Sequence, residues 1–204
     1  EIAGEIASAI GQPYGALQSE VAARAAAVEG ADMSSFACVM RAWTYRYTNR
    51  SELYAPVRAC LEEAVVRDPD YAEAWALLAH LRVDGGRFGY EARDAAGRAE
   101  AYAAARAAAS RALALDPRSV QGMKALSLVE HYSGRYEEAV RLAEAALELN
   151  PNDPDTLAQL GMRHAYRGDF AEGIPYLERA IARSVRAPPT WFQLVICPQK
   201  IPCI

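Results

Sequence analysis

DPRSVQGMKALSLVEHYSGRYEEAVRLAEAALELNPNDPDTLAQLGMRHAYRGDF, residues 116–170, is the stretch that decides how this chain folds. Two breakers bracket its first part, Asp116-Pro117-Arg118 and Asn150-Pro151-Asn152, and their prolines are 34 residues apart. Two glycine turns, Gly134-Arg135-Tyr136 and Gly168-Asp169-Phe170, are separated by the same 34. Between breaker and turn the residues are mostly Ala, Leu, Glu and Arg, all strong helix formers. A glycine at the end of a helix supplies the left-handed residue that stops it. The unit is therefore helix, turn, helix, breaker. Such a unit cannot bury its apolar faces alone, so copies must stack.

The period extends outward. Asp68-Pro69-Asp70 lies 48 residues before Pro117, one period plus fourteen. Trp75 and Trp191 are 116 apart, three periods plus the same fourteen. Each breaker follows a similar helical run: Cys60 to Ala64, Ser110 to Leu115, and Ala145 to Leu149. One insertion of about fourteen residues, around 85–98, accounts for both markers.

With these residues in place, the chain resembles the tetratricopeptide repeat family. The family's repeat is 34 residues in two antiparallel helices. It prefers Trp, Leu and a small residue at places 4, 7 and 8, Ala at 20 and 27, and Pro at 32. The resemblance gives four repeats: 38–71, 72–119 with the insertion, 120–153 and 154–187. The second carries Trp75, Leu78, Ala79, Ala105, Ala112 and Pro117. The third carries Leu126, Ala139, Ala146 and Pro151, and the fourth Leu157, Leu160, Gly161, Leu177 and Ala180. Two departures stand out: Thr44 and Tyr45 at places 7 and 8 of the first repeat, and Gly173 and Pro175 inside the fourth repeat's second helix. The implied fold is all-α, a right-handed superhelix of about eleven or twelve helices without strands.

The ends depart from the repeat. Residues 1–37 are expected to be lead-in and capping helices, with Ile2, Ile6 and Ile10 on one stripe and the N-cap of the first repeat helix within Asp32 to Ser35. The stretch Glu5 to Gly15, with Arg87-Phe88-Gly89-Tyr90, loosely resembles the repeat region of bacterial multidomain signalling proteins of the cyclase or winged-helix regulator type. Residues 188–204 are expected to be a partial fifth repeat and an irregular tail. Its helix would leave Trp191, Phe192, Leu194, Val195 and Ile196 uncovered, to be buried in a homodimer or under residues 197–204. The chain opens on Glu1 without a leader and is expected to be a piece of a longer one.

Composition narrows the function. Hydrophobic residues make up 52%, enough for a core, and the net charge is −4. A basic track is what holds nucleic acid, and none is present, so neither DNA nor RNA is the expected partner. No apolar run approaches the roughly 18 residues a membrane helix needs. Cys38, Cys60, Cys197 and Cys203 form no C-x-x-C pair. Cys38 and Cys60 read as small core residues, and this usage suits a reducing, cytoplasmic setting. No phosphate loop, nucleophile elbow or H-E-x-x-H occurs. His80, His131 and His164 sit on three different first helices, a poor arrangement for a metal. The chain is expected to be no enzyme and to hold no cofactor and no metal.

What remains is a surface. The resemblance implies a concave groove lined by Arg46, Asn49, Arg50, Glu73, His80, Gln121, Lys124, Leu128, His131, Tyr132, Asp155, Met162 and Tyr166. Leu128, Met162 and Tyr166 read equally as packing between repeats. Arg41, Arg46 and Arg50 form a basic strip, or a solvated face. Arg87, Phe88, Tyr90 and Arg93 in the insertion either present a second binding surface or fold back on the core. The family's chaperone-binding clamp is missing, since its places hold Ala42, Arg46, Leu77, Gln121 and Ala125. Two functions fit: a scaffold holding a peptide or protein segment in its groove, or the regulatory arm of a larger bacterial signalling protein.

Overall fold

The structure, a computed structural model, describes residues 34–91, 93–184 and 187. The expected capping helices before residue 34, the fifth repeat and tail from 188, and with them the dimer face, lie outside the described residues. Among the described residues there are eight α-helices and no strand. They are α1 Ser35–Thr48, α2 Tyr54–Arg67, α3 Ala72–Arg87, α4 Ala95–Leu115, α5 Val120–Tyr132, α6 Tyr136–Leu149, α7 Pro154–Tyr166 and α8 Phe170–Arg183. A 3-10 turn, Ser51–Leu53, precedes α2. Consecutive helices pack as hairpins, α1 on α2 through α7 on α8, and the hairpins stack into a solenoid.

The sequence starts and stops these helices locally. Ser34, Asp94, Ser119 and Asp153 each accept a hydrogen bond from the backbone N–H three residues on, at 2.8–3.2 Å. This satisfies a donor that a helix N-terminus otherwise leaves unpaired. Pro154 opens α7, where its missing N–H costs nothing. Gly134 and Gly168 end α5 and α7 with φ of 79° and 90°.

Packing relies on small residues. Ala76 and Ala79 of α3 meet Ala108, Ala109 and Ala112 of α4 and Ala125 of α5 in one buried cluster. The closest approach joins α7 to α8. A Cβ on Gly161 would stand 2.8 Å from the Gly173 carbonyl oxygen, and one on Gly173 would stand 2.7 Å from the Gly161 oxygen. Gly173 therefore does not weaken the fourth hairpin, as its departure from Ala implied. It is what lets the two backbones touch. Pro175 lies inside α8, beyond the first turn.

Two further sequence expectations are corrected. The insertion is not a loop from 85 to 98. α3 runs on through Gly85 and Gly86, both buried, and α4 begins at Ala95 and reaches 21 residues. The glycines let large rings close on the helix: a Cβ on Gly85 would clash with the Tyr54 hydroxyl, and one on Gly86 would stand 2.6 Å from the Tyr102 ring. Cys38 and Cys60 are not independent core residues. They form a disulfide between α1 and α2, with Cα atoms 5.4 Å apart. Antiparallel packing sets the start of α1 against the middle of α2, which no C-x-x-C spacing reveals.

Candidate binding face

The first helices α1, α3, α5 and α7 bring one row of side chains together. Arg46 of α1 donates to Asp155 of α7 at 3.0 Å, across 109 residues of sequence. Lys124 of α5 reaches the same Asp155 oxygen at 2.6 Å and Asp153 at 3.1 Å. Asp153 also accepts from the Thr156 N–H at 3.0 Å and from the Thr156 hydroxyl. Lys124, Asp153 and Asp155 are all buried. Burial by itself would raise the Asp155 carboxyl, but the charges of Arg46 and Lys124 overcome it and hold it far below the usual carboxylate range. His80 of α3 is buried beside them. Burial, then the Arg46 charge, pushes its imidazole well below the ordinary value, so it is neutral. Its Nε2 has no hydrogen-bond partner among the described residues.

This half of the row is occupied by the chain's own ion pairs. The other half is not. Tyr132 is half-buried and accepts a hydrogen bond from Arg87 at 2.9 Å, while Arg87 also pairs with Asp84 at 2.8 Å. The His131 ring stands edge-on to Tyr132, 5.1 Å between centroids, and burial pushes its imidazole down to about 4, with Arg163 and Arg87 adding to the effect. Tyr166, on the last turn of α7, is 55% exposed. From there an aromatic ribbon runs along the helix turns: Tyr136 near His164, and His164 stacked on Tyr176 at 6.0 Å.

The remaining sequence candidates fall elsewhere. Asn49 and Arg50 were expected on the first helix, but α1 ends at Thr48. Asn49 caps it with φ 51°, and Arg50, exposed, pairs with Glu52 at 2.6 Å. Glu73 accepts from the Trp43 indole at 2.9 Å. Gln121 is half-buried, with its Nε2 unbonded. Leu128 packs with Val83, Ala105 and Val129, and Met162 with Leu157 and Leu177, so both serve packing between helices. The insertion residues fold back. Tyr90 lies 4.6 Å from the Tyr54 ring, Phe88 5.5 Å from Tyr90, and Arg87 covers the Phe88 ring at 4.2 Å. Phe88 and Tyr90 nevertheless remain 43% and 37% exposed. The Arg93 carbonyl accepts from Arg98 at 2.8 Å.

Residues 120–162 match the tetratricopeptide repeat. That segment spans α5, α6 and most of α7, the source of most of this row. The fold agrees with it over a longer range. A thermophilic tetratricopeptide-repeat protein of Thermus thermophilus superposes with a TM-score of 0.67 at 19% identity, covering 81% of each chain. A mutant O-GlcNAc transferase of Thermobaculum terrenum matches with a TM-score of 0.53 at 22% identity, covering 71% of this chain and 26% of that one. No curated protein matches the sequence. The chain has a tetratricopeptide-repeat solenoid fold, and these likenesses extend to the fold alone.

In the repeat's frame, the residues that sequence reasoning missed become legible. Gln159 and Arg163 occupy places 6 and 10 of the fourth repeat, outside the places taken as groove-lining. Yet Asp155, Gln159, Arg163 and Tyr166 follow helical spacing along one stripe of α7. The Gln159 amide donates to Asp155 at 3.4 Å, and Arg163 donates to the Gln159 oxygen at 3.3 Å. The signal was a glutamine and an arginine continuing the stripe from an acidic residue. Among the described residues no three His, Cys, Asp or Glu gather as a metal site, and no helix is long and apolar enough to cross a membrane.

Proposed function

We propose that the chain is a non-catalytic scaffold that holds an extended peptide or protein segment against its first helices. Contact would centre on the end of the row formed by Tyr132, His131 and Tyr166. The observation that carries this reading is the contrast within one row: buried ion pairs at Lys124, Asp153 and Asp155, and next to them tyrosines left accessible. Tyrosine and arginine side chains are characteristic anchors of protein interfaces. Arg46, His80, Lys124 and Asp155 brace the face from beneath rather than touch the partner. Neither nucleic acid nor membrane is the partner we propose, given a net charge of −4 and no extended basic track.

The expected cytoplasmic setting fits poorly with a Cys38–Cys60 disulfide, which forms and persists in oxidising compartments. We propose an oxidising location instead. No contact among the described residues favours an attached cyclase or regulator.

Selection of peptides from a displayed library against the full chain tests the scaffold reading. The recovered peptides are expected to lose about tenfold or more in affinity for a Tyr132→Ala/Tyr166→Ala variant, the equivalent of one anchor residue. Unchanged affinity for that variant, with loss on Phe88→Ala, would place the contact on the insertion and overturn the assignment.

A further inference from the structure

We propose that Arg163 is the receiving group for a carboxylate carried by the bound segment, so that the partner is an acidic peptide with an Asp or Glu side chain seated beside Tyr132 and Tyr166. The inference rests on the scaffold reading above and adds the chemistry of what is held.

The charges along the row show why. Lys124 has Asp153 and Asp155, Arg46 shares Asp155, and Arg87 has Asp84. Arg163 has no carboxylate among the described residues. It is only 3% exposed, its Nη2 donates to the neutral Gln159 amide oxygen at 3.3 Å, and its buried Nε has no partner. A guanidinium stays charged and offers five donors in a planar fork. Enclosing one without an anion is strongly unfavourable, and such charges are ordinarily paired. Burial brings this group down to about 10, and the nearest anion acting on it, Asp155, is already committed to Arg46 and Lys124.

The surroundings fit the same ligand. The neighbouring helix α5 sets His131 close by, with its Nδ1 buried and unbonded. Tyr166 follows Arg163 by three residues on the same stripe and is the exposed side chain at that end of α7. Rotation of Tyr166 about its χ1 is the movement that admits the ligand. The guanidinium fork matches a carboxylate in two parallel hydrogen bonds, a pairing lysine does not reproduce. A nucleic acid would need several such cations in a track, and here there is one, flanked by aromatic rings.

The test uses the full chain and two synthetic peptide pools, identical and random except for Glu or Gln at one central position. Fluorescence anisotropy is expected to show the Glu pool binding roughly tenfold or more tightly, the size of one charge-assisted bidentate contact. Arg163→Gln should abolish that difference without lowering the melting temperature, while Arg163→Lys should keep part of it. Equal binding of both pools would overturn the carboxylate inference and leave the scaffold reading standing. Binding of neither would overturn both. A Glu preference that survives Arg163→Gln, or an Arg163→Gln chain that unfolds, would show a merely structural arginine and overturn the inference. So would Arg163-dependent capture of a short oligothymidylate.

Discussion

Removing the Lys124 ammonium leaves Asp153 and Asp155 buried together, with Arg46 the remaining cation bonded to Asp155. Breaking a buried pair from one side costs about 3–5 kcal/mol, because the abandoned charge stays desolvated. Lys124→Ala is therefore expected to lose a stability of that order in urea denaturation, and a loss below about 1 kcal/mol would mean that water reaches the pair. The histidines set the acid side. His80 and His131 have folded-state pKa values below the unfolded 6.5, so the unfolded chain takes up their protons first. Stability is flat above pH 6.5 and falls beneath it, by about 1.4 kcal/mol per pH unit for each histidine. For His131 the fall ends near pH 4. The depressed Asp155 contributes stability that is lost only below the ordinary carboxylate range, so it does not move between pH 7 and 5. Denaturation at these two pH values should show the decline, and His80→Gln should shrink it; a pH-independent midpoint would contradict it. At this scale the sequence named most of the row but misjudged its state. Repeat places indicate which side chains share a face. They do not show that Asp155 pulls Lys124 and Arg46 out of solvent, because that depends on α1 and α7 meeting.

At the scale of helices, close approach is carried by glycines and one cross-link. Ala at position 173 would gain helix propensity of about 1 kcal/mol, but its methyl meets backbone atoms of α7 at 2.7 and 3.0 Å. Backbone cannot swing aside as a side chain can, so overpacking decides the sign. Gly161→Ala and Gly173→Ala are each expected to destabilise by about 1–3 kcal/mol, measured by calorimetry, and a rise in melting temperature would contradict the contact. The Cys38–Cys60 bond closes a loop with a sequence separation of 22. Its reduction, or Cys38→Ala/Cys60→Ala, should remove about 2–4 kcal/mol, while a thiol titration of the untreated protein that finds Cys38 and Cys60 free would contradict the bond itself. The helices were legible from breakers, caps and glycine turns. The insertion was not, because Gly85-Gly86 reads as a loop signal until Tyr54 and Tyr102 are known to pack against it. The disulfide was not either, since its partners come together only through the hairpin.

For the whole molecule, the 34-residue period in residues 116–170 was enough to give an all-helical solenoid, and eight helices among the described residues follow it. Function was less legible. The period indicates that a face exists, but which part of it is open depends on side chains from nonadjacent helices, as when Arg46 and Asp155 join across 109 residues. The account therefore stands on where a partner touches. A photoreactive benzoylphenylalanine placed at Tyr166, 55% exposed on α7, and separately at Val66, 82% exposed on α2, measures this directly. With peptides selected on the full chain, crosslinking is expected at 166 and absent at 66. Crosslinking at 66 with none at 166 would contradict the concave-face assignment.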